Sequence, residues 1–238
     1  MDLDTRAAVH AALGEPARLA IVDRLAWGDA SPGELARQLG LGTNLLAHHL
    51  KILRSVGAIH RVRSEGDRRR HYVRLRMDNP TVLAATIPTV EWPAGHGQRV
   101  LFVCTANSAR SQLAAAAWNA TSPVPAVSAG THPAPRVHPR TASAARRHSL
   151  RLGRAAPHAI AAVHRDADLV VAVCDNAYEE MDPGTVDLHW SVPDPVRQDT
   201  DAAFDAALLD ITHRVQHVAG ALTSVRPYVR SGVAPLSV

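Results

Sequence analysis

Val100-Leu101-Phe102-Val103-Cys104 runs into Thr105-Ala106-Asn107-Ser108-Ala109-Arg110-Ser111, and then into the alanine-rich stretch Gln112–Trp118. An apolar run of this length, rich in β-branched and aromatic side chains, reads as a buried strand, and the alanines read as a helix. With five residues between Cys104 and Arg110, the chain must pass from strand to helix through a tight loop. A thiol then sits at the strand's end and a guanidinium closes the loop. A strand–loop–helix unit of this kind belongs in a parallel α/β sheet, where sites form at the C-terminal strand ends.

The surrounding pattern agrees. Ala126–Ser128 and Leu169–Val173 read as further strands, and Pro139–His148 and Asp201–Leu222 as helices. Residues 98–223 are therefore expected to form a three-layer α/β domain with a parallel sheet. Cys174, like Cys104, falls at a strand end.

Residues 1–78 differ in kind. Arg6–Leu13 reads as a short helix stopped by Gly14, and Ala17–Trp27 as a helix opened by Pro16. Ser31 and Glu34 make a capping box that launches a helix to Leu39. Gly40-Leu41-Gly42 is a turn, and Thr43 or Asn44 is expected to cap a helix over Leu45–Val56, ended by Gly57. Two short helices joined by a glycine turn make a helix-turn-helix. Ile59–Arg63, the turn Ser64–Asp67 and Arg68–Leu75 then read as a β-hairpin, which completes a winged helix-turn-helix. Segment 79–97, with Pro80, Pro88, Pro93, Gly95 and Gly97, reads as a linker, and 224–238 as a flexible tail.

Charge separates the halves. Residues 1–78 hold 13 Lys/Arg against 9 Asp/Glu, whereas 98–223 hold 11 against 12, so a polyanion partner is expected for the first half. Two cysteines in 238 residues make no disulfide framework. No stretch is long and apolar enough to span a bilayer, and the start shows no basic-then-apolar signal, so a cytoplasmic location without membrane contact is the expectation.

The winged-helix spacing brings Thr43, Asn44, Ala47 and His48 to the start of the second helix, where such a motif meets base edges. Asparagine can bond adenine in bidentate fashion, and threonine or alanine can touch a thymine methyl. Lys51 and the hairpin arginines Arg68, Arg69 and Arg70 can neutralise phosphates. A solvated arginine turn is the alternative, and His49 reads equally as a core histidine.

In the second half, amide N–H groups of a loop opening a helix form an anion nest that favours the thiolate form of Cys104. The candidate oxyanion-binding residues are Thr105, Ala106, Asn107, Ser108, Ala109 and Arg110, with Asn107 suited to a left-handed position. Arg110 can grip two oxygens, Ser111 can donate to the sulfur, and Asp194 in Pro193-Asp194-Pro195 is the candidate acid. Cys174 reads as a second reactive thiol or as a buried strand-end residue.

Two resemblances follow. LGEPARLAIVDRL, SPGELARQLGL, LLAHHLKILRSVGAI and RRRHYVRL resemble the winged-helix repressors of the ArsR–SmtB family over residues 5–76. This implies a homodimer, through the N-terminal domain, on a palindromic double-stranded DNA operator. Many members carry a cysteine pair on the first helix of the motif. Here Ser31–Arg37 holds no cysteine and no histidine, so a thiolate metal site of that kind is excluded. VLFVCTANSARSQLAAA, VSAGTHPAP, DLVVAVCDNAYEEM and HWSVPDP resemble the low-molecular-weight tyrosine phosphatases, and more particularly their thiol-dependent arsenate reductase branch, which serves arsenic resistance. The resemblance implies nucleophile Cys104, oxyanion arginine Arg110, acid Asp194 and second cysteine Cys174. Glu180-Met181-Asp182-Pro183 stands where a third cysteine would fall, so an intramolecular three-cysteine relay is excluded.

The implied chemistry needs no cofactor and no metal. It needs an arsenate- or phosphate-type oxyanion and an external reductant such as mycothiol, glutathione or a thioredoxin-like protein. Three readings stay open: a regulator fused to an arsenate reductase (an oxidoreductase), a regulator fused to a phosphoester hydrolase, and a non-catalytic oxyanion or redox sensor controlling DNA binding.

Overall fold

The structure is a computed structural model and describes residues 2–86, 99–153 and 156–224. The first unit opens with α1 (Leu3–Leu13), begun three residues earlier than the periodicity indicates because Asp2 caps it through Thr5 N. α2 (Pro16–Trp27) carries Pro16 in its first turn, where a missing N–H costs nothing. α3 (Pro32–Leu39) has the reciprocal Ser31–Glu34 capping box and ends at Gly40 with φ +64°, a left-handed turn suited to glycine. α4 (Thr43–Ser55) is capped by neither Thr43 nor Asn44: Gly42 is the N-cap and no side chain bonds the first turn. Both polar side chains are thus left exposed.

β1 (Ile59–Arg63) pairs antiparallel with β2 (His71–Leu75), from Ile59 opposite Leu75 to Arg63 opposite His71. The second strand does not begin at Arg68. Asp67 draws Arg69 N to its carboxylate and Arg70 N to its carbonyl, which keeps Arg68–Arg70 in the turn. The segment read as a linker begins with α5 (Pro80–Ala85), capped by Asn79 onto Thr81 N and Val82 N. Val82 is buried in the same core as Ile21, Leu25, Leu35, Leu53 and Val73, which holds the short helix, and Pro80 at its first position costs no hydrogen bond. Residues 87–97, the rest of that segment, and 225–238, all of the expected tail but Ser224, which ends a helix, lie outside the described residues.

The second unit contains β3 (Arg99–Cys104), α6 (Arg110–Thr121), β4 (Ala126–Gly130), α7 (Pro139–Arg147), α8 (Ile160–Val163), β5 (Asp168–Ala172), α9 (Asp175–Glu180), β6 (Leu188–His189), α10 (Pro195–Gln198) and α11 (Asp201–Ser224). The sheet order is β4-β3-β5-β6, and every pairing is parallel. Phe102, Trp118, Trp190, Leu113, Phe204 and Leu208 fill its core. Cys104 is in register with Gly130, so the thiol lies at the C-terminal edge between neighbouring strands.

The two units are joined by buried polar contacts. Arg214 on α11 forks onto Asp29 at 3.0 and 3.2 Å, and Arg74 on β2 meets Asp210 at 2.6 Å. Trp190 Nε1 donates to Trp27 O, and Asp29 N donates to His189 O. Tyr178 donates to Glu34, and Tyr72 donates to Glu179, each with burial and the facing carboxylate pushing the phenol's pKa up.

Candidate active site

The loop after β3 is held from outside by its carbonyls. Thr131 N donates to Cys104 O, His132 N to Thr105 O, Ala134 N to Ala106 O and His138 N to Ser108 O, at 2.8–3.2 Å. With those oxygens turned away, the N–H groups of Thr105–Ala109 donate to no acceptor among the described residues. They stand at the start of α6, whose N-terminus has no side-chain cap. Converging free amides at a helix N-terminus form a site for an anion. Gly130 makes the fit possible, because a Cβ there would stand 2.6 Å from Thr105 O and 3.0 Å from Asn107 N.

Asn107 has φ +48°, the left-handed conformation that bends the loop inward. Its side chain is fully buried and accepts from His158 N at 2.8 Å, while its Nδ2 donates to Ser111 Oγ at 2.9 Å. Ser111 Oγ in turn lies 3.0 Å from Cys104 Sγ. Since Asn107 donates into the hydroxyl oxygen, the hydroxyl hydrogen is left to point at sulfur. Gln112 Nε2 bonds Asn107 O and Oδ1, so the strained residue is pinned by its own helix.

Arg110 is 6% exposed. Its Nη1 donates to Val192 O at 3.1 Å, its Nη2 lies 3.3 Å from Asp194 Oδ2, and its buried Nε has no partner. Burial works against the guanidinium charge, but Cys174, Cys104, Asp194 and Glu65 outweigh it and raise the pKa. A buried donor without an acceptor is rare in a folded protein and fits a site that takes an oxygen ligand. Asp194 caps α10 through Val196 N, which fixes its carboxylate beside the arginine.

Cys174 is the N-cap of α9 and accepts from Ala177 N at 3.4 Å. Its sulfur pairs at 3.6 Å with Thr105 Oγ1, the first residue of the loop. Burial pushes this thiol's pKa up, against the pull of Arg110. Both cysteines are free and buried.

The residues singled out in the second half therefore converge on one place: Cys104, Thr105 to Arg110, Ser111, Asp194 and Cys174. Sequence reasoning missed Gln112, Gly130 and Val192 O, which shape the loop, and Glu65, which reaches it from the hairpin of the first unit. Glu65 Oε2 lies 3.4 Å from Arg110 Nη1, and Asp194 N donates to both Glu65 oxygens at 3.0 and 3.3 Å. Contacts across 45 and 129 residues leave no local signal.

On the first unit, Thr43, Asn44, Ala47, His48 and Lys51 are exposed along α4, and Arg68, Arg69 and Arg70 are exposed at the hairpin. His49 is buried, 3.5 Å from Glu15, so it belongs to the core side of the helix. The turn Ser64–Asp67 packs on the second unit. Among the described residues there is no group of histidines, cysteines or carboxylates able to hold a metal, and no helix is long and apolar enough to cross a membrane.

Residues 99–227 match the family described as low molecular weight phosphotyrosine protein phosphatase, and residues 13–62 match a helix-turn-helix domain. Among solved structures, an arsenate reductase from Archaeoglobus fulgidus DSM 4304 is 30% identical, with the alignment covering 51% of this chain and 98% of that one at a TM-score of 0.46. The tyrosine phosphatase amsI of Erwinia amylovora is 18% identical, covering 56% and 98%, at a TM-score of 0.48. A thioredoxin-dependent arsenate reductase of Corynebacterium glutamicum is 22% identical, covering 55% and 64%, at 0.42. No curated protein matches.

Proposed function

The chain belongs to the low molecular weight phosphotyrosine protein phosphatase family through residues 99–227, behind a helix-turn-helix domain, and from that membership we propose that it is a DNA-binding regulator fused to a thiol-dependent arsenate reductase. The observation that carries the reductase reading is the second thiol: Cys174 stands against Thr105 of the loop that begins at Cys104. Phosphoester hydrolysis consumes no thiol, whereas reduction of arsenic consumes two.

In the proposed reaction, arsenate binds to the loop amides and Arg110. The Cys104 thiolate attacks arsenic, and one oxygen leaves as water with a proton from Asp194. The Cys174 sulfur then attacks Cys104 sulfur, and its proton passes to the departing arsenite. The sulfur–arsenic bond breaks with its electron pair left on arsenic. Arsenic thus gains two electrons, and the thiols lose two as a disulfide. An external thiol of low molecular weight, or a thioredoxin-like protein, reduces that disulfide and closes the cycle.

The first unit is proposed to bind an operator as a homodimer, with Thr43, Asn44, Ala47 and His48 at base edges and Lys51, Arg68, Arg69 and Arg70 on phosphates. The competing reading is phosphoester hydrolysis, which shares Cys104, Arg110 and Asp194 and is favoured by the family's own description.

Turnover of arsenate and of an aryl phosphate, measured side by side with several thiol reductants, separates the two. Arsenate-dependent thiol oxidation that disappears in Cys104→Ser and Arg110→Ala is the expected result. Steady aryl-phosphate cleavage with no arsenate reduction overturns the reductase reading, and activity retained in Cys104→Ser overturns both.

A further inference from the structure

The hairpin turn of the DNA-binding unit sits on the candidate active site. Ser64 Oγ donates to Glu179 Oε1 at 2.7 Å, and Asp67 N donates to Glu179 Oε2 at 2.6 Å. Glu65 N donates to the buried carboxylate of Asp175 at 2.8 Å, and Asp175 is itself held by His189 at 3.0 Å. Gly66 allows the approach, since a Cβ there would stand 2.5 Å from Glu179 Oε2 and 2.9 Å from Asn176 Oδ1. These contacts aim the side chain of Glu65 at Arg110 and at the amide of Asp194. Arg197 stands 3.9 Å from the same carboxylate and donates to Glu65 O at 3.4 Å.

We propose that Glu65 is a built-in competitor of the oxyanion: its carboxylate and a tetrahedral dianion claim the same guanidinium, so an anion entering the loop drives the Ser64–Asp67 turn off the second unit. This inference rests on the reading of the loop as an oxyanion site.

The charge balance argues for exclusion. Arg110 already faces the carboxylates of Asp194 and Glu65, with Cys104 nearby, and Arg197 is half exposed. A dianion brought against Arg110 meets Glu65 at short range in a partly buried setting, where like charges repel more than in open water. Asp194 is fixed as the cap of α10, and Cys104 by its strand. Glu65, on a hairpin turn held to the second unit by hydrogen bonds, is the negative group that can leave. Its departure carries away the turn that precedes Arg68, Arg69 and Arg70, so anion occupancy is read out at the DNA-facing hairpin. By linkage, whatever holds the turn down weakens anion binding by the same factor.

The test uses the full chain and inorganic phosphate as the probe. Phosphate binding is measured by calorimetry at fixed ionic strength for the wild type, Glu65→Gln and Glu65→Ala, and hydrogen exchange of the 64–67 amides is followed with and without phosphate. The expected result is phosphate affinity about tenfold higher in both variants, with wild-type amides of Glu65 and Asp67 losing protection as phosphate saturates. Unchanged protection of the β3 amides verifies that the variants are folded. Equal or weaker phosphate affinity in Glu65→Gln, or turn amides that stay protected at saturation, overturns the inference while leaving the oxyanion site standing. Absence of phosphate binding in all three proteins overturns the site reading, and the inference with it.

Discussion

Arg214 and Asp29, 185 residues apart in the chain, form a forked ion pair in which both side chains are almost wholly buried. Burial opposes the guanidinium charge, yet Asp29 and Asp210 hold the Arg214 pKa above its ordinary value. Removing one partner leaves the other undercompensated in the interface between the units, Arg214 with Asp210 alone and Asp29 with Arg74 and the Ser191 amide. Asp29→Asn and Arg214→Met are each expected to lower stability by about 3–5 kcal/mol. Urea unfolding measures this, and a loss below about 1 kcal/mol, the range of exposed pairs, would count against the interface.

Acid is expected to loosen the same interface. Burial pushes the carboxyls of Glu34, Asp175 and Asp210 up. Tyr178 and Ser31 outweigh it for Glu34, His189 and the Glu65 amide for Asp175, and Arg214 and Arg74 for Asp210, so all three pKa values lie below the ordinary range. Groups depressed on folding contribute stability that is present above their unfolded values and lost as pH falls through the folded ones. Stability should therefore hold near neutrality and decline below about pH 4. A fall with rising pH between 5 and 7 instead would contradict the assignment.

Gly130→Ala should disable the loop without unfolding the domain. The new methyl would press on Thr105 O and Asn107 N, which are backbone atoms and cannot swing aside. Anion binding and turnover are expected to drop by about 100-fold, the scale of losing a positioned donor, with circular dichroism unchanged. Near-normal turnover would show that the loop tolerates a shift.

Cys174→Ala separates the chemistries. Arsenate reduction should fall to background, because the adduct on Cys104 has no internal thiol to release it. Aryl-phosphate cleavage, if the chain performs it, should persist within a few-fold. Mass spectrometry of the wild type after arsenate should find a Cys104–Cys174 disulfide. Arsenate reduction at the wild-type rate in Cys174→Ala would assign the second thiol to the solvent reductant.

The loop was legible because its information is local. Strand, thiol, left-handed asparagine and arginine lie within 12 residues from Val100 to Ser111, and each is dictated by neighbours in sequence. The helix-turn-helix was legible for the same reason, through the Ser31–Glu34 box and the Gly40 turn. Two segments differ from their local pattern, one through tertiary burial and one through hydrogen bonds to a neighbouring residue. Pro80 marked a break, yet it opens a helix because Val82 has a core to enter. Arg68–Arg70 carried strand-like continuity, yet Asp67 folds them into a turn.

Sequence alone determined the helix-turn-helix, the parallel α/β unit and the strand–loop–helix from Val100 to Trp118, since periodicity, caps and spacing are properties of short stretches. Only the tertiary structure decided that the hairpin turn of one unit rests on the loop of the other. That contact depends on Asp29 and Arg214, on Glu34 and Tyr178, and on Ser64, Tyr72 and Asp67 sharing Glu179. Each is a charge, a hydroxyl or a backbone N–H whose burial is favourable only when its distant partner is in place, and no local pattern encodes a partner more than a hundred residues away.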